Sequence, residues 1–281
     1  MNKYCCVILI SLFVLITRDV NAGEVLPVRI SDTYELKRNI SMDDLIKSIK
    51  DKKIIYIGEI HDSIMNHEVE QNIIERLVEI NPHVSIAMEM FKSDSQNNLD
   101  NYLNGNISEE VFLKSIDYEE GWGFNFEFYK PILVIAKEHK LPVIALNIDT
   151  KVIKKVSANG IAKLDAQALN MLPDSIDFTN EKYRKLLEQI YKQHPHTESG
   201  QFERFYEVQL IWDEYMADII SDFLRNYNQT QLIVITGNGH IIYKYGIPSR
   251  VYRRNKIEYV TISQDVESDT GISDFLIESL N

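Results

Sequence analysis

Residues 53–61, KIIYIGEIH, and residues 232–240, LIVITGNGH, decide the fold class of this chain. Each begins as a short β-branched run bounded by turn residues, and such a run predicts a buried strand. Each run then continues as G-x-x-H, so that His61 and His240 follow directly after a strand end. In open α/β sheets, ligands bind in the crevice beyond the carboxyl ends of the strands. The two histidines are therefore predicted to face one pocket.

Between and beyond these runs, predicted strands alternate with predicted helices. Further strands are predicted at residues 84–90, 141–147, 250–252 and 257–262, the last two at the sheet edge. Helices are predicted at residues 41–49, 65–80, 95–118, 126–139 and 201–225. The alternation predicts a three-layer α/β fold, in which a mostly parallel sheet is flanked by helices. Residues 151–200 are polar and rich in lysine, and they predict a helical insertion or lid.

The first 22 residues resemble a secretory signal peptide. An apolar stretch at 7–16 follows Lys3, and Val-Asn-Ala precedes Gly23, which predicts cleavage after Ala22. The stretch is shorter than the roughly 20 residues of a membrane-spanning helix, and no transmembrane segment is predicted. Both cysteines lie within this segment and precede its apolar stretch, so the sequence predicts neither a disulfide nor a lipobox. We expect a periplasmic or secreted protein.

The charge balance excludes one class of partner. The chain has 30 basic and 42 acidic side chains and a formal net charge of −12. Nucleic-acid binding needs a basic surplus that neutralises phosphates, and this chain has none. We therefore expect no nucleic-acid partner. Residues 23–281 have a length that suits a single α/β domain.

Polar side chains stand at the ends of four apolar runs. They are Glu59, His61, Glu89, Asn147 and His240. Two imidazoles and two carboxylates suit either a divalent cation or a general base oriented by an acid. Glu59, His61, Glu89 and His240 are therefore the candidate catalytic or metal-ligating residues, and Asn147 is expected to support them. The alternative is a hydrogen-bonded cluster that only stabilises the sheet.

Two polar residues on the predicted helix at 201–225 need partners. Gln209 and Asp213 lie four residues apart, on a face shared with apolar neighbours, and buried polar groups require hydrogen bonds. Asp213 is predicted either to orient one of the strand-end histidines or to pair with Arg204 or Arg250. His67 is assigned to the first turn of the helix predicted at 65–80 rather than to the strand-end cluster.

A second candidate site lies in the 151–200 segment. Tyr191, His194 and His196 stand close together there, and both tyrosine and histidine are known axial ligands of haem iron. The chain has 15 tyrosines, however, which makes such a cluster easy to form. A solvent-exposed loop accounts for the two histidines equally well, so both interpretations stay open.

The chain resembles the ChaN-like haem-binding uptake family of the Tiki/TraB superfamily. The resemblance rests on GEIHD at 58–62, AMEMF at 87–91, ALN at 145–147, FERFYEVQLIWDEYMAD at 202–218 and ITGNGHIIYKYGIPSR at 235–250. It implies an exported protein that binds haem for iron uptake, with haem as cofactor and a homodimer as a candidate assembly. Many members of the family carry a lipobox, which this signal segment lacks.

The wider group implies an alternative function. Relatives with paired G-x-x-H motifs and a glutamate carry out metal-dependent proteolysis or esterase chemistry. Matched by motif, these residues are Glu89 and the segments 58–61 and 237–240. The resemblance thus implies, as the alternative, a divalent metal and a peptidase or esterase activity at the strand-end cluster.

Overall fold

Eight strands form one sheet in the computed structural model, which describes residues 26–33, 38–193, 201–267 and 271–280. The strands are β1 (Val28–Asp32), β2 (Arg38–Ile40), β3 (Ile54–Glu59), β4 (Val84–Lys92), β5 (Val143–Asn147), β6 (Gln231–Gly237), β7 (Tyr259–Gln264) and β8 (Phe275–Ser279). Their order is β2-β1-β8-β7-β3-β6-β4-β5. The strands from β8 to β5 are parallel, and β1 is antiparallel to both of its neighbours. The prediction of a mostly parallel sheet is confirmed.

Helices connect most of the parallel strands. They are α1 (Met42–Ile49), α2 (Ile64–Ile80), α3 (Gln96–Leu103), α4 (Glu109–Ser115), α5 (Tyr118–Gly121), α6 (Lys130–His139), α7 (Thr150–Asn159), α8 (Ala166–Leu169), α9 (Glu181–Gln193), α10 (Phe202–Asn226) and α11 (Ile247–Asn255). Local sequence accounts for several of their ends. Ser41, for example, caps α1 by accepting a hydrogen bond from the backbone N–H of Asp44 at 3.1 Å.

The sheet separates two hydrophobic cores, because successive side chains of a strand point to opposite faces. On β3, Ile55 and Ile57 join the core that includes α2. Ile54 and Tyr56 join the second core, which is formed with α10 and α11. The three-layer arrangement of helix, sheet and helix follows directly from this alternation.

The parallel register brings the two G-x-x-H segments together. Strand β3 pairs with β6 so that Gly58 lies opposite Thr236 and Glu59 lies opposite Gly237. Both strands are fully buried, and both end at the same edge of the sheet. Strand β4, which carries Glu89, pairs with the other side of β6. Three of the four runs with polar ends are thus immediate neighbours.

Near the C-terminus, one predicted strand is absent and one predicted edge position was wrong. Residues 250–252 lie in helix α11, where Pro248 occupies the first turn and Ile247 and Val251 bury one face. Proline is tolerated there because its fixed φ suits a helix and its missing N–H would have no partner. The strand predicted at 257–262 exists as β7, but it lies inside the sheet because β8 pairs along it. Strands β1, β2 and β8 were not predicted.

The segment predicted as a helical insertion is helical over its described part. Residues 151–193 contain most of α7, all of α8 and α9, and no strand. Two small apolar clusters hold these helices against α10. The interpretation of this segment as an insertion stays a prediction. The predicted signal peptide lies outside the described residues and also stays a prediction. Within the described ranges, no helix combines the length and the apolar character needed to cross a membrane.

Candidate functional site

A cavity of about 360 Å³ opens at the carboxyl ends of β3 to β6. Its volume falls within the range of ordinary ligand pockets. Five of the predicted residues line it: His61, Glu89, Asn147, Gln209 and His240. Aromatic side chains complete the wall, namely Trp122, Phe124 and Trp212. The predicted meeting of His61 and His240 at one pocket is therefore what the structure shows, whereas their roles stay a prediction.

A buried charge network forms one side of this cavity. The His240 Nδ1 lies 2.7 Å from Asp213 Oδ1, and its Nε2 lies 3.3 Å from Glu89 Oε1. The other carboxylate oxygen of Glu89 accepts hydrogen bonds from the Thr236 hydroxyl at 2.5 Å and from the Gly237 N–H at 2.8 Å. Each end of the His240 ring thus faces a carboxylate.

These contacts shift the pKa values of His240 and Glu89 in opposite directions. Burial disfavours the charged imidazole, but the adjacent charge of Glu89 outweighs it and raises the pKa of His240 to about 10. Burial likewise opposes ionisation of Glu89, yet the charge of His240 lowers its pKa to about 2. Both shifts favour an imidazolium at His240, which donates to Asp213 from Nδ1 and faces Glu89 with Nε2.

Asp213 makes both of the contacts that were considered as alternatives for it. Besides orienting His240, its second oxygen accepts a hydrogen bond from the Tyr183 hydroxyl at 2.6 Å. The same oxygen lies 3.8 Å from Nη1 of Arg250, which is almost fully buried. The positioning interaction and the ion pair therefore occur together.

His61 connects the cavity to a buried carboxylate. Its side chain is about a quarter exposed, and its Nδ1 lies 2.6 Å from Glu59 Oε1. The Tyr129 hydroxyl donates to the same oxygen at 2.8 Å. Burial raises the pKa of Glu59 to about 8, and the hydrogen bond to Glu59 raises the pKa of His61 despite its own burial. Both shifts favour the protonated forms of the two groups, while Glu59 itself does not line the cavity.

Glycine is required in the turns because other groups approach its Cα. A Cβ at Gly237 would lie 2.9 Å from His61 Nε2, and one at Gly58 would lie 2.6 Å from Asn238 Oδ1. At Gly246 a Cβ would lie only 2.1 Å from the backbone oxygen of His240. The glycines thus allow the two histidine turns to pack closely.

Two buried residues that the sequence did not assign to the site lie behind the cavity, in contact with Glu59. His67 and Glu70 lie on α2, both are buried, and they stand next to Glu59. His67 stacks on Phe128 at 5.0 Å between ring centroids and meets Tyr129 edge-on at 4.8 Å. Assigning His67 to a helix start was correct. A histidine and a glutamate three residues apart share one helix face, which is a local signal for this pair but not for its contact with Glu59.

Of the residues predicted to ligate haem, the structure describes Tyr191. Tyr191 is in the last turn of α9 and packs against Phe202 and Phe205, with ring centroids 5.7 and 5.2 Å away. It does not line the strand-end cavity. His194 and His196 lie outside the described residues, so their positions relative to Tyr191 stay a prediction.

The fold and the site define a three-layer α/β protein with ionisable side chains clustered at the strand ends. Residues 45–251 match the family described as haem-binding uptake, Tiki superfamily, ChaN. The chain belongs to this family, which confirms the resemblance found in the sequence.

Two relatives illustrate how far the likeness extends. A solved structure described as cofacial heme binding to ChaN of Campylobacter jejuni matches with a TM-score of 0.71 and 21% identity, over 89% of this chain and 96% of that one. The chloroplastic protein RETICULATA-RELATED 5 of Arabidopsis thaliana is 24% identical over 286 residues. That alignment covers 92% of this chain, which spans only 38% of the length of the plant protein.

Proposed function

We propose that this protein binds haem as part of iron uptake. The observation that carries the proposal is the match of residues 45–251 to a haem-binding uptake family. The C. jejuni relative, whose structure is described as binding heme cofacially, supports it. Haem presents a flat apolar ring with two carboxylates at its edge, so a fitting site combines aromatic side chains, basic side chains and a ligand for the iron.

Helices α9 and α10 provide such a combination. Aromatic rings of these helices pack with Phe178, which precedes α9, and form what we term the α9/α10 aromatic surface: Phe178, Tyr191, Phe202, Phe205 and Tyr206. Phe178 is 44% exposed, Tyr191, Phe202 and Phe205 are partly exposed, and Tyr206 is buried. The exposed parts of these rings offer a flat apolar ligand a face to pack against.

The charge of α9 favours the same ligand. Although the whole chain has a net charge of −12, α9 carries four basic and two acidic side chains. The Arg184 guanidinium lies over the rings of Phe202 and Tyr206, with its central carbon 5.1 and 4.7 Å from their centroids. The guanidinium pairs with the exposed Glu203, so a haem carboxylate would compete with Glu203 for it.

We assign Tyr191 as the candidate iron ligand, with His194 and His196 as further candidates beside it. A tyrosine phenolate is a known axial ligand of ferric haem. The Tyr191 side chain is half-buried between two phenylalanines, which would orient its hydroxyl group. The haem itself would supply the iron that the protein carries.

A haemin titration followed at the Soret band tests this assignment. We expect Tyr191→Phe to bind haemin at least about tenfold more weakly than the wild type, because phenylalanine keeps the ring and removes the ligand atom. Tyr227→Phe is the matched control, since Tyr227 is 59% exposed and lies at the end of α10. Unchanged affinity in Tyr191→Phe and in the triple variant with His194→Ala and His196→Ala would move the site away from this surface.

A metal-dependent peptidase or esterase is the second candidate function. The observation that favours it is the hydrogen-bonded Glu59–His61 pair, whose histidine lines the cavity and in which the pKa of both groups is raised. Such a pair suits general acid–base catalysis. Hydrolysis of peptide and ester panels with Zn²⁺, Mn²⁺ or Co²⁺ tests it. Activity that is lost in both His61→Ala and Glu59→Gln supports the enzyme, and no activity with any of these ions refutes it.

Export and a homodimer belong to the same proposal. Export predicts an intact mass that begins at Gly23 when the full chain is produced with a secretion machinery present. The dimer is tested by light scattering with and without haemin. A single mass equal to one chain under both conditions would refute it.

A further inference from the structure

We propose that Glu59, His67 and Glu70 form a buried binding site for one divalent transition-metal ion. The three residues are 2%, 5% and 0% exposed, and one ligand atom from each lies within 4.8 Å of the others. The site is distinct from the cavity, because neither His67 nor Glu70 lines it. It is also independent of the α9/α10 aromatic surface, so haem binding and metal binding can fail separately.

The hydrogen bonds of His67 determine which of its nitrogens faces the carboxylates. Its Nε2 lies 3.1 Å from the backbone oxygen of His61. A carbonyl oxygen only accepts, so Nε2 must carry the proton. In the neutral imidazole, Nδ1 then presents a lone pair. This Nδ1 lies 3.2 Å from Glu70 Oε2 and 3.6 Å from Glu59 Oε2.

A lone pair and two carboxylate oxygens that face one another need either protons or a metal ion between them. All three atoms are acceptors when the glutamates are ionised, and such an arrangement is repulsive in a buried site. One proton bridges only two of these atoms, whereas a metal ion binds all three. Imidazole and carboxylate together are the ligand set of Zn²⁺ and Mn²⁺ sites.

An orphaned oxygen provides a second, independent indication. Oε2 of Glu59 is buried and has no hydrogen-bond partner, although Oε1 of the same carboxylate has two. Buried carboxylate oxygens are normally satisfied, and an exception calls for a missing partner. Because Oε2 is the oxygen that faces His67, the missing partner belongs inside the cluster.

The distances and the surroundings fit a metal ion. Ligands about 2.0–2.2 Å from a tetrahedral ion stand about 3.4 Å apart, close to the two measured separations. The carboxylate oxygens that face away from His67 also accept hydrogen bonds, as is usual for residues that bind a metal ion. Glu70 Oε1 accepts from Gln264 Nε2 at 3.2 Å, and Glu59 Oε1 accepts from Tyr129 at 2.8 Å. His61, which is partly exposed, covers the cluster on the cavity side.

Metal analysis of the purified full chain tests the proposal. The protein is unfolded in chelator, refolded with Zn²⁺ or Mn²⁺, dialysed and analysed for bound metal, because a buried site exchanges its ion through unfolding. We expect one ion per chain in the wild type and in Glu79→Gln, an exposed glutamate on the same helix. Glu70→Gln and His67→Gln should each bind at least about tenfold more weakly.

Two further measurements keep the result interpretable. The wild type, which folds, should melt at a higher temperature with the ion than with chelator. His61→Ala should retain the ion, because the backbone oxygen that holds His67 is unchanged by this substitution. The proposal is overturned if the wild type retains neither ion. It is also overturned if His61→Ala loses the ion while Glu70→Gln keeps it, because the ion would then bind in the strand-end cavity.

Discussion

The substitution Glu89→Gln tests the charge network that forms one wall of the strand-end cavity. Glutamine keeps the shape and an oxygen that can accept from Thr236 and Gly237, so the main change is the loss of one buried negative charge. Removing one partner of a buried ion pair typically costs about 3–5 kcal/mol, because the other charge is left behind. Here the charge left behind is the imidazolium of His240, which can release its proton.

That proton release sets an upper limit to the loss of stability. The pKa of His240 is raised to about 10, and moving to the neutral form at pH 7 therefore costs about 4 kcal/mol, at about 1.4 kcal/mol per pH unit. At pH 9 the same limit falls to about 1.4 kcal/mol, because wild-type His240 is closer to losing its proton. In a domain of this size, the loss at pH 7 corresponds to a melting temperature roughly 8–16 °C lower.

Urea denaturation of the wild type and Glu89→Gln at pH 7 and pH 9 measures both values. Glu79→Gln is the control, and as an exposed substitution it should change the free energy of unfolding by less than about 0.5 kcal/mol at either pH. A loss below about 1 kcal/mol at pH 7 would contradict the buried ion pair. A loss of equal size at the two pH values would show that His240 is not the charge involved.

Three further predictions follow from buried carboxylates, close glycines and the cysteine positions. The pKa values of Glu59 and Glu70 are raised to about 8, so the folded state keeps protons that the unfolded state has released. In chelator, the free energy of unfolding should therefore fall as the pH rises from about 4.5 to 8, and Glu70→Gln should flatten this slope in a pH series of urea titrations. Gly246→Ala should lower the free energy of unfolding by about 1–3 kcal/mol, because the added Cβ would collide with the His240 backbone. Thermal melts measure this loss, and an unchanged melting temperature would show that the turn relaxes around the added methyl group. Dithiothreitol should leave the melting temperature unchanged, since both cysteines lie within residues 1–22, and a lowered value would indicate a disulfide between them.

The central part of the fold could be predicted because its signals are local. The runs that form β3 and β6 are continuous and apolar, and parallel strands with buried faces have this sequence character. Once both runs are placed in one parallel sheet, their ends must meet at one edge. The convergence of His61 and His240 on one cavity therefore needed no knowledge of individual contacts.

The parts that could not be predicted depend on contacts distant in sequence. Strand β1 pairs with β8 so that Val28 lies opposite Ser279, and nothing near either residue indicates the partner. Helix α11 looked like a strand because three residues are too few to show a helical period. The cluster of His67 and Glu70 was missed because its third member comes from β3 and only the folded chain brings it to α2.

The most direct test of the central proposal is an equilibrium titration of the purified wild-type chain with haemin, followed by absorption spectroscopy. We expect a shifted Soret band that saturates at a fixed number of haems per chain, with the spectrum of a phenolate-ligated ferric haem. A weak change that never saturates, equal to that seen with an unrelated acidic protein of similar size, would contradict haem binding.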